Sequence, residues 1–124
     1  MVSRMTNHSR ALDGAFHALS DPTRRAIVAR LAQGPASVSE LSEPFPMAMP
    51  TLLAHIHVLE DGGLISTAKV GRVRTCAIRP ATLSATVAWL ERQRSVWESR
   101  LDRMEAYVAE LNARENKHGK RKRR

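Results

Sequence analysis

The chain has 124 residues, 43% of them apolar and only 4% aromatic, which suits one domain with an aliphatic core. Its net charge of +8 is mostly a property of one end: residues 114–124 carry a net +6 and the other 113 residues only +2. The single cysteine, Cys76, excludes an internal disulfide. The absence of any run near 20 apolar residues excludes a spanning helix, and no signal-peptide pattern opens the chain. A cytoplasmic protein with a polyanionic partner is expected.

Residues 1–8 are polar and aperiodic and read as a flexible arm. From Ser9 to Leu19 the positions Leu12, Ala15, Phe16 and Leu19 form one helical stripe. Ser20-Asp21-Pro22 then punctuates, with Asp21 as N-cap and Pro22 in the first turn of a second helix. That helix buries Ile27, Val28 and Leu31 and stops at Gly34-Pro35. Ser37-Val-Ser-Glu40 fits a capping box for a short third helix that Pro44 and Pro46 end.

A fourth helix is expected from about Met49 to Asp61. Leu52, Ile56 and Leu59 share its inner face, Pro50, Ala54, His57 and Asp61 lie nearly opposite, and Thr51, His55 and Val58 sit on a flank. Gly62 or Gly63 closes it in a left-handed conformation. Leu64–Val70 and Val73–Arg79 then read as two strands around a Gly71-Arg72 turn. Beyond Pro80, the residues Leu83, Val87, Leu90, Arg94, Trp97, Leu101, Met104, Val108 and Leu111 step alternately by four and three. That is a heptad seam, broken at Arg94, along about 45 Å of helix at ~1.5 Å per residue. The expected organisation is therefore an arm at 1–8, a folded body at 9–112 and a disordered basic tail at 113–124.

Two short helices followed by a β-hairpin have the order of a winged helix-turn-helix: mainly α, with about five helices, a two-stranded wing and a long C-terminal dimerisation helix. The fourth helix is then the one shaped for the major groove of double-stranded DNA. Thr51 can meet a phosphate or a thymine methyl, Ala54 offers only apolar surface, and Pro50 also serves to start the helix. His57 faces DNA on helical geometry. His55 either does the same or packs internally against the third helix with its ring hydrogen-bonded. Lys69, Arg72 and Arg74 on the hairpin suit backbone or minor-groove contact, and Ser37 and Ser39 open a helix whose amides can hold a phosphate. Arg24 and Arg25 read as ordinary surface or ion-pairing residues.

The segments Phe16-His-Ala-Leu-Ser-Asp-Pro-Thr-Arg-Arg-Ala-Ile27, Val38-Ser-Glu-Leu41 and His55-Ile-His-Val-Leu-Glu-Asp-Gly-Gly-Leu-Ile65, with Gly71-Arg72 at the hairpin tip, resemble the ArsR/SmtB type of bacterial transcriptional repressor over residues 10–112. The resemblance implies a homodimer built on its first and last helices, with Leu12, Phe16, Leu83, Val87, Leu90, Trp97, Leu101, Met104 and Val108 at the interface. It further implies an effector that weakens operator binding, and a cytoplasmic protein that is nucleoid-associated when bound.

Two departures qualify it. Where metal-sensing members carry a Cys-x-Cys motif this chain has Glu40-Leu-Ser-Glu43, and residues 81–112 contain no histidine. No metal site and no cofactor are expected. Members also commonly have Ser where Ala48 stands and a polar pair where Leu53-Ala54 stands.

Trp89, Trp97, Met104 and Tyr107 either line an effector pocket or fill core and dimer packing, the latter being commoner for aromatics at helical spacing. Cys76 is a small buried hydrophobe or a redox switch. No phosphate loop, nucleophile elbow or acid–base pair supports an enzyme, and Asp13, Asp21 and His17 read as capping and surface groups. The competing reading is a coiled-coil interaction module whose tail binds nucleic acid without sequence preference.

Overall fold

Helix α1 (Val2–Leu19) lies across the carboxy-terminal end of α4 (Met49–Asp61), and the two backbones meet at a pair of glycines. A Cβ on Gly62 would sit 2.7 Å from the Gly14 carbonyl oxygen and 3.1 Å from the Ala18 Cβ. Gly62 therefore permits the crossing. Gly63 makes the turn, with φ at +75°.

The Gly63 amide donates to the Glu60 carbonyl at 3.0 Å and the Leu64 amide to the Leu59 carbonyl at 3.1 Å, the two bonds of a Schellman motif. Leu59 and Leu64 are both buried beneath it, the apolar contact that accompanies this ending.

The computed structural model describes residues 2–122, with side chains described for 10–119. Among them are α2 (Pro22–Leu31), β1 (Ala36–Ser37), α3 (Val38–Ser42), β2 (Ile65–Val70), β3 (Val73–Ile78) and α5 (Pro80–Lys122). The chain divides after Val87 into two units. The first holds every element up to the opening two turns of α5. The second is the rest of α5, and each of its residues from 90 to 119 is exposed.

The core of the first unit is aliphatic, as the composition requires. Ile27 and Leu31 of α2, Leu52, Ile56 and Leu59 of α4, and Leu64, Ile65 and Cys76 of the sheet are buried. Leu83 of α5 is half-buried against them. On α1 the buried residues are Ala15 and Ala18, while Leu12 and Leu19 are half-buried and Phe16 is 39% exposed. Small side chains line the buried edge because the glycine crossing leaves no room for larger ones.

The expected two-stranded wing is a three-stranded antiparallel sheet in the order β1-β3-β2. Two residues of β1 pair with the base of β3, Ala36 with Cys76 and Ser37 with Thr75. A two-residue strand is too short to show alternation, so nothing in the sequence pattern announced it. At the far end Val70 pairs with Val73 around Gly71, whose φ of +63° suits the first central position of a type II′ turn.

Both long terminal helices extend further than their periodicity indicated. α1 begins at Val2, within the segment expected as an arm, and α5 runs to Lys122, within the segment expected as a disordered tail. No proline interrupts either stretch, and the Ala, Arg, Glu and Lys residues between 112 and 122 favour a helix despite Gly119.

Adding one methyl group at the crossing should be costly. Gly62→Ala is expected to destabilise the fold by about 1–3 kcal/mol through overpacking against the Gly14 backbone. The check is chemical denaturation of both proteins, where the midpoint should fall with little change in slope.

Candidate nucleic-acid interface

Helix α4 starts without a side-chain cap, since its N-cap is Ala48 with Pro50 in the first turn. Its inward residues Leu52, Ile56 and Leu59 are 0%, 3% and 0% exposed. Pro50, Thr51, Leu53, Ala54 and His57 are all exposed. The helix therefore presents a bare outer face to whatever lies in front of it.

The wing stands beside that face. Glu60, near the end of α4, accepts a short hydrogen bond from the Thr67 hydroxyl of β2, and Arg74 of β3 donates to the same hydroxyl at 3.1 Å. This bridge ties the recognition-helix candidate to both long strands. It also orients Arg74, which pairs in register with Lys69.

The result is two shallow open depressions that share Leu53 and Arg74. One, of about 360 Å3, lies between the wing and Pro50, Ala54 and His57. The other, of about 500 Å3, lies among Ser37, Ser39, Met49, Lys69 and Arg72.

Eight of the ten residues expected to meet DNA are thus gathered along one surface: Ser37, Ser39, Pro50, Ala54, His57, Lys69, Arg72 and Arg74. Thr51 is exposed on α4 but lines neither depression. His55 points elsewhere. Its Nδ1 lies 3.2 Å from Arg24 Nη1 and 3.8 Å from Asp21 Oδ2, and since a guanidinium can only donate, the ring nitrogen accepts. The internal partner is α2 rather than α3.

Ser37 is also committed locally. Its hydroxyl accepts from the Glu40 amide at 3.1 Å, and the Ser37 amide donates to Glu40 Oε1 at 3.4 Å, completing the capping box read from the sequence. Ser39, by contrast, is exposed.

Arg24 and Arg25 have a more specific place than surface ion pairing. Arg24 donates to the carbonyls of Ala18 at 2.7 Å and His17 at 3.2 Å, and Arg25 to that of Leu19 at 2.8 Å. These are the last carbonyls of α1, which have no partner within the helix. The Asp21 carboxylate holds the Arg24 amide at 3.0 Å. That hydrogen bond foremost, with the nearby His55 and the Arg24 charge, keeps Asp21 below its ordinary value of 3.8 despite partial desolvation.

Four contributors escaped the sequence reading. Met49 and Leu53 stand on the flank of α4 beside the wing, and since Met49 lies seven residues before Ile56, helical phase alone reads it as core. Glu60 and Thr67 meet across two elements, and no spacing rule links them. Among the described residues no three His, Cys, Asp or Glu side chains come together as a metal would need, and no helix is long and apolar enough to cross a membrane.

A helix with a bare outer face, set after a short capped helix and flanked by a cationic hairpin, defines a winged helix-turn-helix DNA-binding protein. Comparison with known proteins gives the family. Residues 19–68 match the helix-turn-helix domain family. The HTH-type transcriptional regulator Rv2034 of Mycobacterium tuberculosis is 40% identical over 83 residues, which are 67% of this chain and 78% of that protein. The transcriptional repressor SdpR of Bacillus subtilis is 27% identical over 79 residues, or 64% of this chain and 88% of that protein. The crystal structure of an ArsR family transcriptional regulator is 57% identical, with a TM-score of 0.68 and coverage of 71% of this chain and 97% of that one. The chain belongs to the ArsR family of winged helix-turn-helix transcriptional regulators. It is a regulator, not an enzyme.

Two outcomes follow from this geometry. Because the Asp21 carboxyl is held below its unfolded value, its contribution to stability is complete above about pH 5 and is lost as pH falls through the lowered folded value. Asp21→Asn, which can still cap the helix, should be less stable than wild type near neutrality, and the gap should narrow on acidification. Urea denaturation at a series of pH values measures this. Cys76 is fully buried, and burial pushes its thiol above its ordinary value of 9.0. Alkylation by iodoacetamide should therefore be at least ~100-fold slower in the native protein than in the urea-unfolded chain, because it must await opening.

Proposed function

We propose that the protein is a homodimeric repressor that binds a palindromic operator through α4 and the wing, and that transition-metal binding does not trigger its release. The observation that carries the DNA reading is the alignment of Lys69, Arg72 and Arg74 beside the outer face of α4. Three cations on one side of an uncapped, solvent-facing helix supply phosphate contacts, and the helix supplies contacts to base edges. The repressor named SdpR among the relatives supports the direction of regulation.

The dimer is supported by the exposed face of α5. Val87, Leu90, Trp97, Leu101, Met104 and Val108 are between 40% and 60% exposed, and they repeat at heptad spacing along α5. A lone helix cannot bury such a row, and a second copy of the same seam can. By the family resemblance Leu12, half-buried, and Phe16, exposed on α1, also contribute to dimerisation. A two-fold dimer sets its reading helices about 34 Å apart, hence half-sites about one DNA turn apart. Release without metal rests on the donor set: one buried cysteine and five dispersed histidines do not make a thiolate or imidazole cluster. The basic residues of 114–124 add counterion release and little sequence information. An effector, if the protein uses one, is then a small molecule other than a metal ion.

Light scattering at micromolar concentration should give twice the chain mass of 13.8 kDa. Leu101→Asp should give monomers and lose operator binding at the same time. A monomeric wild type refutes the dimer. Selection from random duplexes should enrich a palindrome, and zinc or arsenite should leave its affinity unchanged. An asymmetric single site, or a metal-dependent loss of binding, counts against the corresponding part of the proposal.

A further inference from the structure

The flank of α4 beside the wing is apolar. Met49, Pro50, Leu53 and Ala54 offer no side-chain hydrogen-bonding group, and Met49 and Leu53 are 41% and 40% exposed. They stand one turn apart on the same row of the helix, at its amino-terminal end, the end that recognition helices direct toward base edges. Helical phase sets Met49 at the edge of the core face and Leu53 on the flank, yet both stay about two-fifths exposed beside the wing, so the core covers neither.

What surrounds these residues narrows what can cover them. Leu53 is shared by both depressions, whose polar lining includes His57, Lys69, Arg72 and Arg74 and the Glu60 carboxylate, which Thr67 hydrogen-bonds. An apolar strip framed by cations suits an apolar feature on a polyanion. In the major groove that feature is the C5 methyl of thymine, the one base substituent there that rewards an aliphatic contact.

We infer that Met49 and Leu53 are specificity-determining residues that select thymine by packing on its C5 methyl in each half-site. The inference rests on the reading of α4 as the DNA-contacting helix, given above. The wing cations hold the backbone, so that the two apolar side chains reach the base edges without a hydrogen-bonding group of their own.

The test uses the full chain and duplexes enriched from a random-core library. Each thymine in the enriched sequence is replaced in turn by deoxyuridine, which removes only the methyl group and keeps base pairing. At the contacted positions the Kd should rise about fourfold, the factor expected for one buried methyl group. Leu53→Ala and Met49→Ala should each bind thymine and uracil equally at one of those positions. Equal wild-type affinity for thymine and uracil duplexes at every position overturns the inference and leaves sequence-specific binding standing. So does discrimination that survives in both alanine variants. A library that yields no enriched sequence overturns the assignment of α4 itself, and the inference with it. The wild-type comparison needs no substitution in the protein, so it holds whether or not the variants fold.

Discussion

The contact between Gly14 and Gly62 is the constraint on which the rest of the first unit depends. Two helices approach this closely only where neither carries a Cβ at the crossing, and the Schellman ending at Gly63 then sends the chain into the sheet. With its carboxy-terminal end held against α1, helix α4 has no freedom to roll. Leu52, Ile56 and Leu59 face inward, and the opposite face is left bare. The arginine caps on α1 serve the same end. By satisfying the carbonyls of His17, Ala18 and Leu19, Arg24 and Arg25 hold the start of α2 against the end of α1.

The wing is positioned from the same helix. Glu60 lies two residues before the glycine that permits the crossing, and through Thr67 it reaches the strand that carries Lys69. The geometry of helix packing is thus passed to the cationic hairpin by one polar bridge, so the exposed face of α4 and the base of the hairpin keep a common frame. Such a bridge between a helix and an adjacent strand is satisfied on both sides: Thr67 donates to the carboxylate and accepts from Arg74.

Much of this was legible in the sequence because it is written in local rules. The Asp21-Pro22 start, the Ser37/Glu40 capping box, the inner face of α4 and the Gly71 turn all follow from neighbours within four residues. What was not legible joins distant residues. Gly14 has no signature of its own, since it matters only against Gly62. Gly62 and Gly63 are adjacent and identical, and only the structure separates the close approach from the left-handed turn. β1 escaped because two residues carry no period. His55 and His57 are equally polar and two positions apart, yet one lodges between Asp21 and Arg24 and the other faces out. Their roles were set by the packing of α2, which helical phase alone does not contain.

The brevity of β1 gives the wing the mechanics of a cantilever. Ser37 is at once the last residue of that strand and the cap of α3, so the base of the sheet is clamped to a helix through a single residue. Beyond Thr75 the third strand is gone, and the stretch from Lys69 to Arg74 is a two-stranded ribbon with exposed Val70 and Val73 at its end. Deflection should concentrate toward the tip around Gly71 and Arg72, while Arg74, held by Thr67, stays with the clamped base and α4.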